Sequence, residues 1–176
     1  MTGQRLPLPT RDGVGPSCVG LPQGAWPTIA EFLIERFPAI TRDAWMARME
    51  ARDVVDEHGV PVTAQRRYQA PLRVYYYRTL DAEVRIPFDE QVLFQDDQLV
   101  VADKPPFLPV TPTGKYLQES LLVRLKRKLK LDDLVPLHRI DRSTAGLVLF
   151  SVRPETRGAY QAMFPERRID KHYEAV

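Results

Sequence analysis

Apolar residues recur at helical spacing soon after the start of the chain. Ile29, Phe32, Leu33 and Phe37 fall on one face, Thr28 stands where an N-cap belongs, and Pro38 marks the end. A second helix is expected after Thr41 or Asp43, with Trp45 and Met49 four residues apart and Arg42, Arg48 and Arg52 supplying positive charge. Val54, Val55, Val60 and Val62 flank the polar stretch from Asp56 to Gly59, which predicts a small hairpin. Farther on, Val92 to Phe94 and Leu99 to Ala102 are apolar runs separated by Gln95 to Gln98. They predict a second hairpin, closed by Lys104-Pro105-Pro106. Tyr116 to Lys130 reads as a helix with Leu117, Leu121, Leu122, Leu125 and Leu129 on its apolar side. Strands are expected at Leu134 to Leu137, Leu147 to Val152 and Lys171 to Val176, with a helix from Pro154 to Phe164 that carries proline in its first turn.

Residues 1–27 interrupt this picture. They hold five of the nine glycines and five of the sixteen prolines, a density that breaks both periodicities and predicts a flexible leader. The expected organisation is that leader, a small module over 28–87 and a second domain over 88–176. With 176 residues, 44% hydrophobic and 27% charged, the chain can bury a core of one or two small domains. Its net charge is only +2, so any basic surface has to come from local clustering. The single cysteine, Cys18, excludes an intramolecular disulfide and a cysteine-built metal site. The apolar runs are shorter than the ~18 to 20 residues of a membrane helix; Arg5 and Arg11 are not followed by a continuous apolar stretch, so no signal peptide is expected, and a chain without asparagine has no N-glycosylation sequon. A reducing, cytoplasmic setting without membrane partners is expected.

Two clusters bear on partners. Arg66, Arg67, Tyr68, Arg73, Tyr75, Tyr76, Tyr77 and Arg78 interleave rings with cations, as RNA binding requires, although a strand with half-buried tyrosines reads the same way. Five of the seven residues from Arg124 to Lys130 are basic. Arg124, Lys126, Arg127 and Lys128 are therefore candidates for contact with an RNA backbone, a solvated helix face being the plainer alternative.

The densest chemistry lies in His138-Arg139-Ile140-Asp141-Arg142-Ser143-Thr144-Ala145-Gly146, where a carboxylate stands between two arginines in a loop joining two apolar runs. Flanking guanidinium groups favour an ionised Asp141, suited to act as a nucleophile or electrostatic stabiliser and not as a general acid. A buried Arg–Asp brace for the loop remains open beside that reading. A kinase catalytic loop is excluded, because Ile140 separates His-Arg from Asp and no asparagine follows. His58, His138 and His172 lack metal-ligand spacing, no metal site is expected, and no phosphate-binding glycine loop occurs.

With Leu147 added, this segment resembles the His-Arg-Leu-Asp-x-x-Thr-Ser-Gly-Leu signature of RluA-type RNA pseudouridine synthases. Val92 to Pro105 is similar to the opening hairpin of that family, and Lys171, Tyr173 and Ala175 to its later Lys-x-Tyr-x-Ala strand. Residues 28–80 resemble the alpha-L RNA-binding module that often precedes these catalytic domains. Ile140 and Ala145 depart from the commoner Leu and Ser, and His58-Gly59 stands where Asn-Gly is usual.

The resemblance implies an α+β chain: an alpha-L-like RNA-binding module followed by the first part of a mixed, mainly antiparallel catalytic sheet. It also implies a reaction that needs no cofactor, in which the uracil of a uridine is detached from ribose, rotated and rejoined through carbon five. The substrate would be ribosomal or transfer RNA. Asp141 is then the catalytic carboxylate, with attack on the anomeric carbon, action on the base, and elimination to a glycal all open as its role. Tyr173 would stack on the target base and handle its proton. Arg139 would support the flipped nucleotide or fill the space it leaves, and His138, Arg142, Thr144 and Lys171 would complete the substrate site. The family's later arginine-bearing strand is missing from the sequence, which implies the N-terminal portion of a longer synthase; an RNA-binding protein without catalysis is the alternative.

Overall fold

The computed structural model describes residues 7–80 and 82–175. Strand β1 (Ser17–Leu21), helices α1 (Ile29–Arg36) and α2 (Arg42–Glu50), and strands β2 (Val54–Asp56) and β3 (Leu72–Tyr76) come first. Strands β4 (Gln91–Gln95) and β5 (Leu99–Lys104), helix α3 (Leu121–Leu129), strands β6 (Val135–Pro136) and β7 (Gly146–Ser151), and helix α4 (Pro154–Ala162) follow. The class is mixed α/β with two antiparallel sheets, ordered β1-β3-β2 and β4-β5-β7-β6. Contacts divide the chain into Gly15–Thr79 with the stretch ending at Arg11, and Leu80–Val176 with Asp12–Val14.

In the first unit, the Thr28 and Thr41 hydroxyls accept from the Glu31 and Ala44 backbone N–H groups and start α1 and α2. Both helices bury their apolar faces, Ile29, Phe32 and Leu33 from α1 and Trp45 and Met49 from α2, against Val54, Val74 and Tyr76 of the sheet. Trp45 is fully buried; removing roughly 200 Å² of ring surface from water contributes at most about 5 kcal/mol. The hairpin expected around Asp56 forms, with Gly59 at φ +78° and the Asp56 carboxylate accepting from the His58 and Val60 N–H groups at 2.9 Å and from Arg66 at 2.7 Å.

The leader departs from expectation. Cys18 pairs with Tyr75 and Gly20 with Arg73, so β1 is an edge strand of the sheet, bracketed by Pro16 and Pro22. Proline and glycine oppose a helix, but prolines flanking an edge strand leave its ladder intact. Leu8 is buried against Val55 and Tyr77, the Tyr77 hydroxyl donates to the Pro9 carbonyl at 2.7 Å, and Arg11 pairs with Asp53 at 2.6 Å. Residues 1–6 of the expected leader lie outside the described residues.

In the second unit, alternation along β5 and β7 sends Val100, Ala102, Val148 and Phe150 to one face, where Leu121 and Leu125 of α3 cover them. A bulge at Leu93 keeps Val92 on that face and leaves Leu93 itself half exposed. Helix α3 begins five residues later than its hydrophobic pattern predicts. The Glu83 carboxylate accepts from the backbone N–H groups of Leu117, Gln118 and Glu119 at 2.6–2.8 Å, holding them outside the helix. Together with the Ile86 N–H bond to Glu119, this ties the 82–88 stretch to the second unit and sets its boundary ahead of Pro87.

Residues 171–175, expected as a strand, have no regular structure. A strand needs a neighbour to pair its backbone, and none of the described residues pairs with it; Val176 lies outside them. Among the described residues no helix is long and apolar enough to cross a membrane.

Candidate functional site

Lys104 and Gly146 are ladder partners, so the segment leaving β5 and the loop feeding β7 emerge at the same end of the sheet. Gly146 takes φ +125°, a conformation strained for any other residue, and this lets the chain turn sharply into β7. The loop carries Asp141, whose backbone carbonyl accepts from the Thr144 N–H at 3.2 Å, closing a tight turn with the carboxylate exposed at its tip. Asp141, Arg139 and Arg142 line a cleft of about 510 Å³ whose opposite wall is Pro109, Val110, Thr111 and Thr113. The Arg142 guanidinium donates to the Tyr116 hydroxyl at 2.9 Å and lies 5.6 Å from the centre of its ring. One carboxylate beside two arginines, with two threonines on the facing wall, is an arrangement able to bind an anionic ligand and to hold a carboxylate against it.

Beneath this cleft Lys104 is fully buried. Its ammonium group donates to the carbonyls of Pro105 at 2.9 Å, Leu108 at 2.8 Å and Arg142 at 3.1 Å. Burial pushes it down to about 8, so at neutral pH it still carries the proton that all three bonds require. Its position was foreshadowed by the alternation that makes Val100 and Ala102 core residues, although sequence alone marked Lys104 only as a strand end. Thr111, Thr113 and Tyr116 gave no signal, because nothing local says which side of the segment faces the loop.

His138 lies where β6 leaves the sheet. The Leu137 N–H donates to the Leu149 carbonyl at 2.8 Å, and the next rung is made by the side chain: the Leu149 N–H donates to His138 Nε2 at 3.2 Å. The ring also packs on Phe164, with centroids 5.1 Å apart. Burial, and then the positive charge of Lys171, pushes the imidazole below its ordinary value, in keeping with a nitrogen that has to accept.

Tyr173 and Lys171 do not join Asp141. They line a separate hollow of about 300 Å³ with His138, Leu147, Leu149 and Phe164; Ile140 borders both spaces. Tyr173 is 66% exposed, and the Lys171 ammonium sits 4.8 Å from the Phe164 ring centre. Thr144 is half-buried in the turn.

Of the four cations considered for RNA contact on α3, Arg124 turns inward. It is 9% exposed and donates to the carbonyls of Ile86 and Phe88, to Glu90 and to Glu119. Both terminal nitrogens of its guanidinium are engaged within the fold, which removes it as a phosphate ligand. Lys126 is half-buried, Arg127 and Lys128 are exposed, and Lys128 lies 3.7 Å from Glu90. Among the described residues no group of three or more His, Cys, Asp or Glu side chains is placed to hold a metal ion.

Residues 98–176 match the family model of RNA pseudouridylate synthases. An uncharacterised RNA pseudouridine synthase of Synechocystis sp. is 31% identical over 146 residues, covering 83% of this chain and 50% of that protein. The tRNA pseudouridine(31) synthase of Saccharomyces cerevisiae is 29% identical over 123 residues, covering 68% of this chain and 30% of its own length. A solved structure of human RNA pseudouridylate synthase domain containing 4 is 31% identical, covers 44% of this chain and 30% of its own, and has a TM-score of 0.37. The chain thus spans half or less of the length of these relatives.

Two stability measurements test the supports of the cleft. Lys104→Met leaves three inward carbonyls without a donor, and denaturant titration should show a loss of about 2 kcal/mol or more; a loss within about 0.5 kcal/mol would show that water replaces the ammonium. His138 titrates lower in the folded chain than in the unfolded one, so the unfolded state binds more protons as pH falls below about 6.5 and stability declines there. In His138→Gln, whose side-chain oxygen accepts from Leu149 without titrating, melting temperature should fall less steeply between about pH 7 and 5.5; identical slopes would contradict this role.

Proposed function

Residues 98–176 belong to the RNA pseudouridylate synthase family, and on that footing we propose that the protein converts specific uridines of transfer or ribosomal RNA to pseudouridine in the cytoplasm. In this reaction the bond between the anomeric carbon and N1 breaks, a bond from the same carbon to C5 forms, C5 gives up its hydrogen to solvent, and N1 gains a proton. The product is an isomer of the substrate, with no net oxidation.

The observation that carries the reading is that the family match includes the loop on which Asp141 stands exposed between Arg139 and Arg142, facing Thr111 and Thr113 across an open cleft. A stacked uridine cannot present its glycosidic bond to a carboxylate, so the nucleotide has to be turned out of the strand at a cost of a few kcal/mol. Arg139 and Arg142 offset that cost by binding the flanking phosphates. Arg142 is suited to this because the Tyr116 hydroxyl holds part of its guanidinium and leaves the remaining donors for the ligand. Asp141 is the reacting carboxylate, Lys104 fixes the backbone on its C-terminal side, and His138 fixes the point at which the loop leaves β6. Residues 28–80 act as an alpha-L-like module that adds RNA affinity: two helices packed on a small sheet, with Arg36, Arg52 and Arg67 available at the surface.

A second reading, RNA binding without catalysis, draws on the placement of Tyr173, which lies in a different hollow from Asp141. One experiment separates the two. RNA carrying tritium at C5 of uridine is incubated with the wild-type chain and with Asp141→Asn. Release of label by the wild type and a loss of at least about a thousandfold in the variant, with RNA affinity held within about threefold, are expected. Equal release by both chains would remove Asp141 from the chemistry, and binding without release by either would favour the second reading.

A further inference from the structure

Phe107 and Phe88 are large apolar side chains that the core of the second unit does not use: they are 50% and 43% exposed. Their ring centroids lie 6.1 Å apart with planes inclined by 36°, so the two form one outward-facing aromatic surface. Phe107 also has φ +68°. An aromatic residue in the left-handed region is strained, a glycine would be free of that strain, and burial supplies no reason to keep the ring.

The backbone beneath both rings is held by side-chain hydrogen bonds. The Phe88 carbonyl accepts from Arg124 at 2.7 Å, and Arg124 is itself anchored by Glu119 and the Ile86 carbonyl. The turn that presents Phe107 is held by Lys104, which bonds Leu108, one residue beyond Phe107, and Arg142, one residue beyond Asp141. The backbone segments that carry the ring and the carboxylate are therefore tied to a single ammonium group, and Arg139 and Arg142 line the cleft with Asp141. Next to Phe88 in the chain, Asp89 lines a hollow with Arg85, Arg127 and Lys128, in which Glu90 and Glu119 pair with Arg124 and Glu90 also with Lys128, so that cations outnumber carboxylates there.

We propose that Phe88 and Phe107 are a stacking platform for a base of single-stranded RNA next to the nucleotide held at Asp141. Exposed rings with arginines on the neighbouring segments fit an RNA strand, whose phosphates meet the arginines while its bases cover the rings. A protein partner would be matched by apolar surface without the flanking cations. The platform rests on the RNA-modifying role set out above, and it adds a binding residue pair that the loop signature does not contain. It also gives the strain at Phe107 a function: the backbone is held so that the ring stays on the surface.

The test uses the full chain and a single-stranded RNA oligonucleotide with a central C5-tritiated uridine flanked by 2-aminopurine. Affinity is read by anisotropy, stacking by quenching of 2-aminopurine, and isomerisation by label release. Phe107→Gly and Phe88→Ala should each weaken binding about fivefold or more and reduce the quenching, while Phe107→Gly melts no lower than wild type because it relieves the positive φ. Phe94→Ala, which removes another exposed ring, from β4, should leave affinity unchanged. Ring variants that bind within twofold of wild type overturn the platform, as does a wild-type chain that fails to bind the oligonucleotide. Weakened binding by the ring variants with no label release from wild type supports the platform and counts against the isomerase reading. Label release with unaltered binding by the ring variants does the reverse.

Discussion

The cleft around Asp141 depends on one buried cation. Lys104 ends β5 on the core side of the sheet and places three N–H bonds on three carbonyls that belong to two separate segments, the turn after β5 and the loop before β7. Moving an ammonium group out of water is unfavourable unless every donor is satisfied, so the cation enforces the conformation of both loops as much as it stabilises them. Neither segment has regular secondary structure to hold it. Their relative position is set by that group, and the Arg142 bond to the Tyr116 hydroxyl and the bonds from the Leu121 and Leu122 N–H groups to the Pro109 and Val110 carbonyls hold the facing wall.

Around it the second unit repeats the device of using a side chain where the backbone ladder stops. His138 completes a rung that β6 no longer supplies, Glu83 collects three amides ahead of α3, and Arg124 binds the carbonyls of the 86–88 stretch. Each leaves few polar groups unpaired at a point where the chain must change direction. The result is a sheet end that presents loops with defined shape, as a preorganised binding site requires.

Charge is distributed with the same economy. The basic run on α3 divides between Arg124, used internally, and Arg127 and Lys128, which face solvent. In the first unit, Tyr76 and Tyr77 of the aromatic run are buried, whereas Arg73 is exposed on β3. Clusters that look alike as strings of residues therefore separate into structural and surface members only once burial is known.

The sequence by itself determined the helices α1, α2 and α4, the two hairpins and the polar loop ahead of β7, because caps, alternation and turn residues act over a few positions and those local forces agree with the final packing. The residues of that loop also carry the resemblance to the family whose model residues 98–176 match. Tertiary structure alone decided that residues 17–21 join a sheet, since an edge strand depends on a partner found more than fifty residues away in Leu72–Tyr76. It decided that α3 starts at Leu121, because the competing acceptor Glu83 is distant in sequence. It decided too that Tyr173 stands apart from Asp141 and that Thr111, Thr113 and Tyr116 stand near it. Contacts between segments are set by which groups the core brings together, and no periodicity along one segment encodes the identity of its neighbour.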